Sequence, residues 1–223
     1  MSNFETIRAG IYKLFSSKAL RMKLSLTFGA LLNFIYIAGN IASALLYQNL
    51  WSATLTAYHL VMITIRLYLL SAARNSADKP KELRICHRVG VLLLISDLAA
   101  AFIIIYTLQR GAHSSYSGVI FLGILCFSVY SLTSSIMAIR RHRGEKNYLH
   151  MTARTISLST ALMSIYNLLH SFFALTGADF QASSLVVLLA GVGVFSAILV
   201  LSLRLMCLTR QLISTSQNSS KIV

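Results

Sequence analysis

Proline, cysteine and acidic residues are all scarce in this 223-residue chain, and each shortage closes off a class of explanation. The one proline, Pro80, falls in an expected connection, so no long apolar segment carries the residue that most often kinks a membrane helix. Continuous helices are the expectation, which weighs against sites built from broken helices, although Gly191 and Gly193 offer a place for local unwinding. Those two glycines, with Gly29, Gly39, Gly118 and Gly123, are better read as points where neighbouring helices approach closely. The cysteines Cys86, Cys126 and Cys207 stand alone, without CxxC or metal-ligand spacing, so neither disulfide nor thiol chemistry is indicated; by position Cys86 belongs to a connection. HExxH, GxSxG, Walker A and GxGxxG motifs are missing, as are paired carboxylates in apolar surroundings, so no enzyme activity, metal centre or cofactor is expected.

What the chain has in abundance is apolar sequence: 56% of residues are hydrophobic, 12% are charged, and the mean hydropathy is +0.70. Six stretches, 24–47, 51–72, 89–108, 116–139, 155–176 and 184–205, each approach the ~20 residues that cross a ~30 Å hydrocarbon core. They run on without the alternation of barrel strands, and a backbone in lipid must satisfy its own hydrogen bonds, so each is expected to be a helix. The fold class that follows is all-α: a polytopic membrane protein with six transmembrane helices in one bundle spanning 24–210. Residues 1–23 place Phe4, Ile7, Ile11 and Leu14 at helical spacing among basic residues, which predicts a short amphipathic helix on the membrane surface and not a cleavable signal. Residues 211–223 form a polar tail.

The formal charge of +14 comes from 20 Lys and Arg against 6 Asp and Glu. In a soluble protein it would point to nucleic acid, but here the basic residues fall on alternate connections. Lys18, Arg21 and Lys23 precede the first stretch, Arg84 and Arg88 lie between the second and third, Arg141 and Arg154 between the fourth and fifth, and Arg210 follows the sixth, whereas Arg110 stands alone on the other side. By the positive-inside rule both termini are in the cytoplasm, and the partner is the lipid bilayer with no nucleic acid.

Against this apolar background the polar residues inside the stretches stand out. Asp97 is the only acid among them, and Arg66 is expected at the same depth, roughly 12 to 14 Å from the cytoplasmic boundary at helical rise. An Arg66–Asp97 ion pair with Asn33 alongside would make an inner polar layer. Asn40, His59, Asn167 and His170 would make an outer one. Asn33 and Asn40 are seven residues apart, as are His59 and Arg66, so each pair shares a helix face. Two roles fit: fastening helices together, or a path along which His59, His170 and Asp97 bind or relay a proton or cation. Arg66 also has the alternative of snorkelling to the headgroups. The aromatics Tyr36, Tyr47, Trp51, Tyr58, Tyr106 and Tyr116 read in part as an interfacial belt, with Trp51 near the outer boundary. Ser128, Ser131, Thr133, Ser134 and Ser135 are expected to bond back to their own helix.

The run Leu32-Asn33-Phe34-Ile35-Tyr36, then Trp51, Tyr58-His59, Ile65-Arg66-Leu67-Tyr68, Tyr116-Ser117-Gly118 and Thr155-Ile156-Ser157-Leu158, resembles a group of small six-span membrane proteins of Gram-positive bacteria with no assigned activity. The resemblance covers nearly the whole chain and implies residence in a bacterial cytoplasmic membrane. A fainter likeness is to the membrane domain of cation diffusion facilitators. That family places carboxylates and histidines four apart on spans two and five, where this chain has Tyr58-His59 and Asn167 with His170 and no acid. Three readings of function follow: a small transporter of protons or cations, a non-catalytic subunit or scaffold that assembles with itself or a membrane partner, and a substrate-binding membrane subunit of an uptake system.

Overall fold

A computed structural model describes residues 18–47, 50–75, 79–109, 118–141, 148–176 and 180–219. Each of these segments is one α-helix: α1 (Lys18–Tyr47), α2 (Leu50–Asn75), α3 (Lys79–Gln109), α4 (Gly118–Arg141), α5 (Tyr148–Thr176) and α6 (Phe180–Ser219). All six are long and apolar enough to cross a membrane, and the chain is a multi-pass integral membrane protein. The amphipathic segment expected over 1–23 lies outside the described residues up to residue 17, and its last residues belong to the first turns of α1.

Several helices start earlier, or run further, than their apolar stretches, α3 and α6 most of all. Pro80 is not in a loop; it occupies the first turn of α3, where its missing N–H would have had no intrahelical partner. Glu82 follows in the same first turn, where a negative charge complements the helix dipole. Cys86, expected in a connection, is consequently buried within α3. At the other end of the chain α6 continues through much of the segment expected as a tail, to Ser219.

Neighbouring helices form a closed ring in the order α1, α2, α3, α6, α5, α4 and back to α1, with α1–α2, α3–α6 and α4–α5 the most extensive pairings. From its place in the ring α5 also reaches α1, α2 and α3, so it touches every other helix. Its sequence explains how. Buried positions cover well over half of its circumference, and many are small or hydroxylated, including Ser159, Thr160, Ala161, Ser164 and Ser171, which lets backbones come close. The outer helices instead turn large apolar side chains toward lipid: Leu45 of α1, Phe102 of α3, Val119 of α4 and Leu189 of α6 are each more than 60% exposed.

The main pairings are antiparallel and keep a seven-residue register. Along α1–α2, Ser52 Oγ donates to Ser43 Oγ at 3.1 Å, Tyr36 meets the His59 ring at 4.5 Å, and Gly29 faces the Arg66 guanidinium. Each step is seven residues forward on one helix and seven back on the other, the spacing at which helices wrap gently and keep a common seam. Along α4–α5, Ser128 Oγ donates to the Ser164 carbonyl and Ser135 Oγ to the Ser157 carbonyl, both at 2.9 Å. These two serines thus fasten a neighbouring helix, whereas Thr133 does bond back within its own, to the Val129 carbonyl at 2.7 Å. The difference follows from facing: Ser128 and Ser135 are buried against α5, and Thr133 points away from the bundle.

The glycines divide in the same way. A Cβ at Gly191 would lie 3.1 Å from the Tyr166 hydroxyl, and one at Gly29 would run into the Arg66 guanidinium, so both permit a close approach. Gly39, Gly118, Gly123 and Gly193 face open space and bring no helix closer. Close contact also occurs at Gly90, where a Cβ would come within 2.8 Å of the Met206 side chain.

Candidate functional site

The α1–α2–α5 seam gathers most of the buried polar residues. Of the residues singled out from the sequence, Asn33, Asn40, His59, Arg66, Asp97 and Asn167 are all buried, and His170 is partly buried. They do not form the two simple layers expected.

At one level Asn167 of α5 is the hub. Its Nδ2 donates to the Tyr36 hydroxyl of α1, and its Oδ1 accepts from Trp51 Nε1 of α2 at 2.9 Å. One amide thus ties three helices together. Trp51 is 1% exposed and lies against the rings of His170 at 4.7 Å and Tyr166 at 5.4 Å. It is a core residue, not a member of an interfacial belt: although it stands at the start of its span, the facing half of α5 covers it. Tyr36 is likewise internal, stacked on Phe127 of α4 at 4.2 Å. Asn40 stays out of the hub and donates Nδ2 to the carbonyl of Tyr36 in its own helix at 2.9 Å.

His59 lies next to Tyr36 and is fully buried among Tyr36, Tyr58 and Phe127, and neither ring nitrogen has a hydrogen-bond partner. Two turns along α2, Arg66 is 5% exposed, so it does not snorkel out of the bundle. Its Nη2 donates to Thr160 Oγ1 of α5 at 3.3 Å, while Thr160 spends its own proton on the Ile156 carbonyl at 2.9 Å. Nε of Arg66 has no partner.

Among the described residues the expected Arg66–Asp97 ion pair is not formed. Arg66 lies on the His59 side of α2, which faces α1 and α5. The phenol of Tyr58, about 100° round α2 from His59, is within electrostatic range of both Asp97 and Arg66. Asp97 Oδ1 and the Tyr58 hydroxyl both lack hydrogen-bond partners. Equal depth did not imply contact: Arg66 reaches Thr160 of α5 and Asp97 is not among its partners.

Beside Arg66 is a cavity of about 20 Å³ bounded by four helices, lined among others by Gly29 and Asn33 of α1, Tyr130 and Ser134 of α4 and Ser157 of α5. Its depth on α1 follows from Gly29: without a side chain there, the guanidinium lies against the α1 backbone one turn from Asn33. Sequence reasoning missed Gly29, Thr160 and Tyr130 as parts of the site. For Gly29 the signal was the seven-step series Gly29, Tyr36, Ser43 opposing Ser52, His59, Arg66.

Among the described residues no three of His, Cys, Asp and Glu are grouped closely enough to share a metal ion. No protein-family model, curated protein or solved structure matches the chain.

Proposed function

We propose that this protein is a small, non-catalytic ion transporter of a bacterial cytoplasmic membrane, with both termini inside, in which protons move along the seam of α1, α2, α3 and α5. One observation carries the reading. From His59 through Tyr58 to Asp97 and Arg66, buried polar atoms outnumber their hydrogen bonds: both His59 nitrogens, the Tyr58 hydroxyl, Asp97 Oδ1 and Arg66 Nε are unpartnered. Residues that served only to fasten helices would spend these valences on each other, since an unpaired polar atom in apolar surroundings costs about 1–3 kcal/mol. Imidazole, phenol and carboxylate are groups that accept and release protons, and ionisable side chains inside a bundle often mark such routes. A guanidinium, which stays charged, repels hydrated metal cations and so favours the proton over the other cargo considered.

The test is proton movement in liposomes holding the purified chain, read with an internal pH dye under an imposed gradient. The gradient should collapse faster than in protein-free vesicles, and Asp97→Asn should return it to that baseline while remaining folded. Silence from folded wild-type protein under proton and cation gradients would sink the transport reading and favour a subunit that assembles with a partner.

A further inference from the structure

We infer that the cavity beside Arg66 is a binding site for a small monatomic anion of the halide class. The inference names a substrate or regulator for the seam, and only its role in transport rests on the reading above.

The chemistry of the lining decides the sign of the ligand. Two residues that line the cavity, Arg66 and Asn33, each carry a buried donor without a hydrogen-bond partner, Nε and Nδ2. Among the described residues that line it there is no carboxylate; the other polar groups are the hydroxyls of Tyr130, Ser131, Ser134, Ser135 and Ser157. Ser135 already gives its proton to the Ser157 carbonyl. A cation would meet a fixed positive charge, with only neutral hydroxyl and amide oxygens to offset it. An anion would meet a guanidinium whose only hydrogen bond in the structure is to Thr160, an amide N–H and orientable hydroxyl dipoles.

The energetics agree with the chemistry. A guanidinium is costly inside a bundle unless its charge is compensated, and here Asp97, the acid nearest in depth, makes no ion pair with it. Size then narrows the class. The cavity, about 20 Å³ beside the guanidinium, has room for a fluoride or chloride ion, and the comparison with the larger gluconate tests the size limit. Gly29 is what leaves room for the guanidinium at the cavity wall.

The experiment is a titration of the full-length chain in detergent with sodium chloride or fluoride against sodium gluconate at constant ionic strength, following the thermal unfolding midpoint. A saturable rise with halide but not gluconate is expected. Asn33→Leu should weaken the apparent affinity roughly tenfold by removing one donor, and Arg66→Gln should abolish the effect. Should Arg66→Gln fail to fold, the anion ranking and Asn33→Leu decide the matter. No halide effect in wild type, an equal effect of gluconate, or an affinity unchanged by Asn33→Leu would each overturn the site. The titration needs no gradient. Halide binding by a chain that moves no protons would refute the transport reading and leave the site standing, and a proton-moving chain indifferent to halide would refute the site alone.

Discussion

Two polar clusters sit on the same α1–α2 pair, about 10 Å apart at helical rise, and they use their hydrogen bonds in opposite ways. Around Asn167 both ends of one amide are engaged, by Tyr36 and by Trp51, across three helices. Around Arg66 there is one bond of 3.3 Å to Thr160, and Nε and the Asn33 amide nitrogen are left over. Both clusters are buried and polar, so burial does not separate them. What separates them is satisfaction: a polar group whose partners are all present contributes to cohesion, whereas one with donors to spare in apolar surroundings carries a cost that cohesion alone does not explain.

The comparison is sharpened most by Trp51→Ala, which removes a fully buried ring and an Asn167 partner together. Stability should fall by about 3–5 kcal/mol, measured by unfolding in mixed detergent micelles. A loss below about 1 kcal/mol would mean that the Asn167 hub is not a lock at all. Asn167→Leu nearly keeps the volume but removes the acceptor of the Trp51 N–H and the donor to the Tyr36 hydroxyl, and about 2 kcal/mol of destabilisation is expected in the same assay. At Asp97 the order of effects reverses. Asp97→Asn has no hydrogen bond at Oδ1 to lose, so stability should stay within about 1 kcal/mol of wild type while proton movement disappears; a stability loss matching that of Asn167→Leu would place Asp97 among the structural residues.

Smaller effects test the scaffold. Ser128→Ala removes one bond to the Ser164 carbonyl, and about 0.5 kcal/mol is the scale of such interhelical bonds in membranes, a difference that replicate unfolding curves can resolve. Phe102→Ala, on a side chain 74% exposed toward lipid, should lie within about 0.5 kcal/mol of wild type. A larger loss would show that this face is covered by another protein surface.

Much of the scaffold was legible because the bilayer imposes a length and forbids unpaired backbone. The six spans, their helical form and the shared faces of Asn33 with Asn40 and of His59 with Arg66 all come from counting residues. The site was less legible, because counting gives depth along a helix but not direction around it. Arg66 and Asp97 looked like partners by depth, yet Arg66 faces α1 and α5 and bonds Thr160, not Asp97. Trp51 looked interfacial from its place at the start of a span, and only the facing half of α5 makes it core. Six glycines looked alike in sequence, and the packing gives close neighbours to Gly29 and Gly191 but not to the other four.

The amino-acid sequence by itself determined that this protein crosses a membrane six times as helices, since apolar length and the cost of unsatisfied backbone in lipid leave no other form. It also determined which few residues would be costly there, Asp97 and Arg66 foremost. Only the tertiary structure decided which of those costs are met. Whether a donor finds an acceptor depends on the rotation and register of neighbouring helices, properties of the packed bundle, and the packing pairs Asn167 while leaving Arg66 and Asn33 with donors to offer.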